Sequence, residues 1–125
     1  MTADRFVSAD HIRSLFAQAM SHMYRTEVPL YGTLIELVGR INAQVLDDNP
    51  ALAAALARTD DLERIDLERH GAIRVGTAQE LAMLRRAFAV MGMYPVGYYD
   101  LAVAGVPVHS TAFRPVDAAS LSRNP

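Results

Sequence analysis

Apolar residues recur every three or four positions over most of the first 58 residues of this chain, and beyond them that period returns only around residues 81–91. This change constrains the fold most, because a 3.6-residue period makes a helix stripe while alternation makes a strand face. Ile12, Leu15, Phe16, Ala19, Met20 and Met23 predict a helix over residues 10–24, with Asp10 as its N-cap. A break over residues 25–28 precedes Pro29, which suits a first helical position because its missing N–H would be unpaired there anyway. Leu30, Leu34, Leu37, Val38, Ile41 and Val45 form the expected buried face of the second helix, and Asp47, Asp48 and Asn49 stop it. Asn49-Pro50 then starts a short third helix through the alanine-rich residues 51–57.

The second half punctuates differently. Residues 59–62 read as a polar turn and residues 67–75 as a strand. Thr77-Ala-Gln-Glu80 is a capping box opening a helix whose buried face is Leu81, Leu84, Phe88 and Met91. Gly92 is its expected stop, since glycine enters the left-handed region without steric cost. Two strands follow at residues 94–103 and 106–113, joined by a tight turn at Ala104-Gly105, with Pro107 at a strand start or on an edge. The polar residues from Arg114 onward read as a linker or unfinished connection. The expected class is α+β: helices over residues 1–58, a β-α-β-β unit over 59–115 and a tail over 116–125.

Composition narrows the function. At 125 residues and 51% apolar, the chain can build a core. Its net charge of -2, with both signs interspersed, argues against a nucleic-acid partner. No cysteine is present, which excludes disulfides and cysteine zinc sites and fits a reducing cytoplasmic setting. No stretch is long enough to span a membrane, and residues 1–5 lack the order of a signal peptide. The expectation is a cytoplasmic protein without a membrane or nucleic-acid partner. The phosphate-binding glycine loops, Gly-x-Ser-x-Gly and His-Glu-x-x-His are all absent.

The chemistry concentrates in Glu68-Arg-His-Gly-Ala-Ile-Arg-Val75. On a strand, His70, Ala72 and Arg74 share one face, with the small alanine leaving room between the other two. A neutral imidazole is a common metal ligand, and a guanidinium fork holds a carboxylate bidentately. By spacing alone, the same pair is also what a surface strand carries. His109, on the last expected strand, reads either as a hydrogen-bond donor beside the metal or substrate or as a histidine bonded to a neighbouring backbone carbonyl, and Tyr98 or Tyr99 is a candidate cavity residue. Glu27 lies in the Tyr24-Arg-Thr-Glu-Val-Pro-Leu-Tyr31 junction, which reads either as a capping corner or as a loop lining the site. His11 and His22 stand three turns apart on the first helix and cannot share an ion.

Four segments resemble a known family: Met23 to Leu34, Glu68 to Gly76, Met91-Gly-Met-Tyr-Pro-Val-Gly-Tyr-Tyr-Asp-Leu101 and Ala104-Gly-Val-Pro-Val-His-Ser-Thr-Ala-Phe-Arg-Pro115. They are similar to the 2-oxoadipate dioxygenase/decarboxylases, in order and over nearly the whole chain. The resemblance implies a fold related to the vicinal oxygen chelate metalloenzymes and an Fe(II) cofactor. It implies a reaction of 2-oxoadipate with O2 giving D-2-hydroxyglutarate and CO2, a step of lysine catabolism. It places the first metal histidine on His70 and the substrate-carboxylate arginine on Arg74. Members of that family are several times longer, and their other two metal ligands lie beyond the region that ends here at Pro125. The chain is therefore expected to be an inactive amino-terminal fragment needing the missing carboxy-terminal part. The alternatives are a short metalloprotein completing its site from a second copy, and a non-catalytic binding module.

Overall fold

The computed structural model describes residues 6–59 and 61–125. The reading of residues 1–5, and the Asp60 part of the expected turn, lie outside the described residues. The order is α1 (Ala9–Glu27), α2 (Pro29–Asp48), α3 (Pro50–Arg58), a 3-10 turn at Leu62–Arg64, β1 (Ala72–Ile73), α4 (Ala78–Val90), β2 (Tyr94–Asp100), a 3-10 turn at Ala102–Ala104, β3 (His109–Arg114) and α5 (Ala118–Arg123). This is an α+β chain in which helices precede a small antiparallel sheet. No helix of the described residues is long and apolar enough to cross a membrane. Two compact units divide the chain: residues 18–68, and residues 1–17 with 69–125.

In the unit of residues 18–68, Pro29 opens α2, and the Asn49 side chain accepts from Leu52 N to cap α3, as the sequence indicates. The buried face of α2 is corrected. Leu30, Leu34, Leu37, Val38, Ile41 and Val45 are all exposed. The half-buried positions are instead Tyr31, Gly32, Ile35, Gly39, Asn42 and Leu46. Hydrogen bonds explain the choice: the Tyr31 hydroxyl donates to Glu68 Oε2 at 2.6 Å and Asn42 Nδ2 donates to Asp66 Oδ1 at 2.6 Å, turning that face inward.

The other unit holds the core. Phe88, Met91, Met93 and Phe113 are buried, with Ile12, Ile73, Leu81 and Leu84 packed against them. The expected face of α4 is therefore the packed one. Phe88 stands edge-on to Phe113 at 5.0 Å and to Phe16 at 6.4 Å between centroids. The Thr77 side chain accepts from Glu80 N, while Glu80 Oε2 reaches one residue past the expected partner, to Gly76 N. Gly92, at φ 69°, ends the helix in the left-handed region.

The strand order is β1-β3-β2, both pairings antiparallel. Three expectations are corrected here. The strand expected over residues 67–75 is regular only at Ala72–Ile73, the two residues that pair with Ala112 and Thr111 of β3. The two later strands do not meet in a tight turn at Ala104-Gly105. They are joined by residues 101–108, which hold the 3-10 turn, Gly105 at φ 78° and Pro107. Pro95 sits on edge strand β2, where a missing N–H is tolerated, and the register shifts between Pro95 and Gly97. The tail is no bare linker: Asp117 accepts from Ser120 N at 2.8 Å and caps α5.

The start of α1 also differs. The helix begins at Ala9 and Ser8 Oγ accepts from His11 N at 3.1 Å, so Ser8 does the capping. Asp10, the second residue of the helix, binds Arg13 instead. Arg13 is the buried residue of the helix, at 2% exposure. Of the apolar stripe that predicts this helix, Leu15, Phe16 and Met23 are exposed.

Candidate functional site

His70 is half-buried and lies two residues ahead of β1 in the chain; Arg74 follows β1 directly and is exposed. They stand two positions either side of Ala72, which pairs with Ala112, while Ile73 pairs with Thr111. Only the centre of the 70–74 run is in the ladder, so regular alternation is imposed at Ala72 and Ile73 alone.

What fixes this stretch is Gly71. Its carbonyl accepts from Phe113 N at 2.7 Å, extending the β1–β3 pairing by one residue. A Cβ at Gly71 would lie 2.0 Å from the Phe113 carbonyl oxygen. The residue after His70 therefore has no room for a side chain. Sequence reasoning assigned the space in this run to Ala72 and missed Gly71, since a steric conflict with a residue 42 positions away (113 minus 71) leaves no local signal.

Tyr98 and His109 come together. Tyr98 pairs with Thr111 and His109 with Asp100, so the two rings lie diagonally on one face of the sheet, edge-on at 6.4 Å. They border an open cleft of about 240 Å³ that is floored by Ile73, Val75 and Leu81 near the start of α4. The register puts Ile73, Thr111 and Tyr98 on this face, while Ala72, Ala112 and Gly97 belong to the other. Neither His70 nor Arg74 lines the cleft.

In the unit of residues 18–68, Glu27 is the last residue of α1 and exposed. The strongest electrostatic feature there is Glu68, whose identity stood in the richest segment without a role. Its Oε1 accepts from Ser21 Oγ at 3.0 Å and from Arg25 Nη2 at 2.9 Å, and its Oε2 from Tyr31. Burial first, and the Glu68 hydrogen bond second, push the Tyr31 phenol up to about 12. The same carboxylate raises the Arg25 guanidinium above its ordinary value.

Among the described residues, no three His, Cys, Asp or Glu side chains converge closely enough to hold a metal ion. His70 is of the right donor type, but these residues fit a share of a metal site and not a whole one.

Helices leading into a three-stranded antiparallel sheet, with a histidine and an arginine flanking its shortest strand, define an α+β chain. A family model for 2-oxoadipate dioxygenase/decarboxylase matches residues 16–125, and the chain belongs to that family. It is 66% identical over 119 residues to the 2-oxoadipate dioxygenase/decarboxylase of Escherichia coli (strain K12), covering 95% of this chain and 27% of that protein. The Pseudomonas putida relative of the same name is 64% identical over 125 residues, covering all of this chain and 27% of that protein. The crystal structure of the hydroxyglutarate synthase from P. putida in complex with 2-oxoadipate superposes with a TM-score of 0.77 at 64% identity, covering 97% of this chain and 27% of that one. The chain thus spans little more than a quarter of the length of these relatives.

Proposed function

We propose that this chain is the amino-terminal part of a 2-oxoadipate dioxygenase/decarboxylase and that it contributes one metal ligand and one substrate-binding side chain. The reaction takes 2-oxoadipate and O2 to D-2-hydroxyglutarate and CO2, a balanced equation that needs no further reductant. Its setting is lysine catabolism in the cytoplasm. The observation that carries this reading is the likeness, at 64% identity, to a synthase crystallised with 2-oxoadipate.

The proposed cofactor is Fe(II), with His70 as one of its protein ligands and the others supplied from outside the described residues. When bound, the metal supplies Lewis-acid polarisation of a chelating 2-oxo acid and redox chemistry with O2. His70 donates a ring nitrogen lone pair, held in place by the Gly71–Phe113 backbone contact beside it. Arg74, exposed at the end of β1, offers its planar fork to a substrate carboxylate and orients the chain of the acid. Tyr98 and His109, on the cleft face, are assigned no contact with the reacting atoms.

The test joins this chain to the remaining three-quarters of the P. putida relative and compares variants in that full-length protein. His70→Ala is expected to abolish iron retention and to lower turnover by at least ~100-fold, since both depend on ligand number. Arg74→Lys keeps the charge but loses the fork, so KM for 2-oxoadipate should rise about tenfold, the loss of one charge-assisted bond, with iron content unchanged. Full iron content in the His70→Ala protein, or unaltered kinetics in the Arg74→Lys protein, would remove the respective assignment.

A further inference from the structure

Helix α2 carries more apolar surface than its own unit uses. One face, with Tyr31, Ile35, Gly39, Asn42 and Leu46, is half-buried and tied inward by the Tyr31–Glu68 and Asn42–Asp66 hydrogen bonds. A second stripe, Leu30, Leu34, Leu37, Val38, Ile41 and Val45, runs nearly the whole helix at 41 to 76% exposure. The spacing of these six keeps them within about 100° of one another around a 3.6-residue helix. Scattered exposed apolar residues need no explanation, but a continuous stripe of this length marks an interaction surface.

We propose that the outer stripe of α2 is the docking surface for the carboxy-terminal remainder of the same polypeptide in the full-length protein. Two observations select that occupant. Relatives with 64 to 66% identity hold this segment within chains of which it is only 27%, so a large covalently attached partner is at hand. The same backbone fold occurs inside a solved full-length relative at TM-score 0.78, where the segment is 28% of the chain. A tethered partner acts at an effective concentration in the ~millimolar range, well above that of a second free copy in solution. The ligand required is an apolar helix or sheet face, since the stripe itself carries no charge. This inference rests on the chain being a segment of a full-length family member and not on its activity, so the test reads protection and leaves turnover aside.

The experiment uses the full-length protein, unmodified for the footprinting and substituted at one position for the crosslinking. Hydroxyl-radical footprinting compares Leu34 and Ile41 in the native state with the urea-unfolded state, over a hundredfold range of protein concentration. A photo-crosslinking residue at position 37 is then activated in a mixture of isotopically light and heavy copies. The expected result is at least tenfold slower oxidation in the native state, independent of concentration, with crosslinks running to later residues of the same copy. Native oxidation as fast as in the unfolded state would overturn the proposal. So would crosslinks that join light to heavy copies, which would assign the stripe to a second copy.

Discussion

Gly71 shows how a single residue can govern the candidate site without chemistry of its own. Its carbonyl receives the Phe113 N–H, and the space where a Cβ would stand is filled by the Phe113 carbonyl oxygen, 2.0 Å away. Gly71→Ala must therefore push β1 off β3, and the displaced residue is the neighbour of His70. Forcing a methyl group into such a contact costs about 1–3 kcal/mol. Urea unfolding of the chain should show a loss of that size. In the full-length protein, iron retention should fall with Gly71→Ala while the same change at Gly32, Gly32→Ala, leaves it intact, because nothing lies within 4 Å of a Cβ there. Equal stability of the wild type and Gly71→Ala would show that the strand adjusts without strain.

At the scale of elements, what the sequence revealed was what is settled locally. The Asn49 cap, Pro29 at the start of α2, the Thr77 cap and the Gly92 stop each depend on residues within about one turn, and each is found in place. Faces decided by distant partners were not legible. The stripe on α2 has the right period but is left open, because Glu68 and Asp66 hold another face inward. The tail looked like a linker because what fixes α5 is Arg13, more than a hundred residues earlier. Arg13 donates to the Ser120 carbonyl at 2.9 Å and the Asn124 carbonyl at 2.8 Å, to the Met91 carbonyl at 2.8 Å, and to Asp10 Oδ1 at 2.8 Å. Arg123 donates to the other Asp10 oxygen at 2.7 Å. Hydrogen bonds from Arg13, then Ser120 and Arg123, hold the Asp10 carboxyl below its ordinary value of 3.8. A depressed carboxylate contributes stability above its unfolded value and loses it as pH falls through the folded one. The clasp is thus constant through neutral pH and weakens only in acid below 3.8. Arg13→Met removes the four hydrogen bonds that Arg13 donates, at about 3 kcal/mol, and leaves the Arg123–Asp10 bond in place. Hydrogen exchange should show α5 losing protection first, and loss spread evenly over the unit would argue against a local clasp.

At the scale of the molecule, the donor inventory decides what this chain can do alone. One imidazole at His70 is the only role in metal binding proposed for it, and among the described residues no three suitable side chains converge. Affinity for Fe(II) grows with the number and geometry of donors, so a single histidine leaves the metal mostly to water. The family membership is legible from the segments around His70 and Tyr98 because their residues are matched in long runs, whereas a ligand outside these 125 residues has no trace within them. The chain alone, loaded anaerobically with Fe(II) and desalted, is therefore expected to retain well under one iron per chain and to leave 2-oxoadipate unconsumed. Joined to the remaining polypeptide of a relative, the same residues should retain about one, since three donors then close on the metal. Stoichiometric iron on the chain alone, in a species that sizes as a dimer, would instead mean that two copies of His70 meet and that the site is completed by symmetry. Stoichiometric iron on a monomer would mean that a donor set exists which the described residues do not bring together. Iron per chain measured beside molecular mass separates these three arrangements, and it does so without relying on turnover.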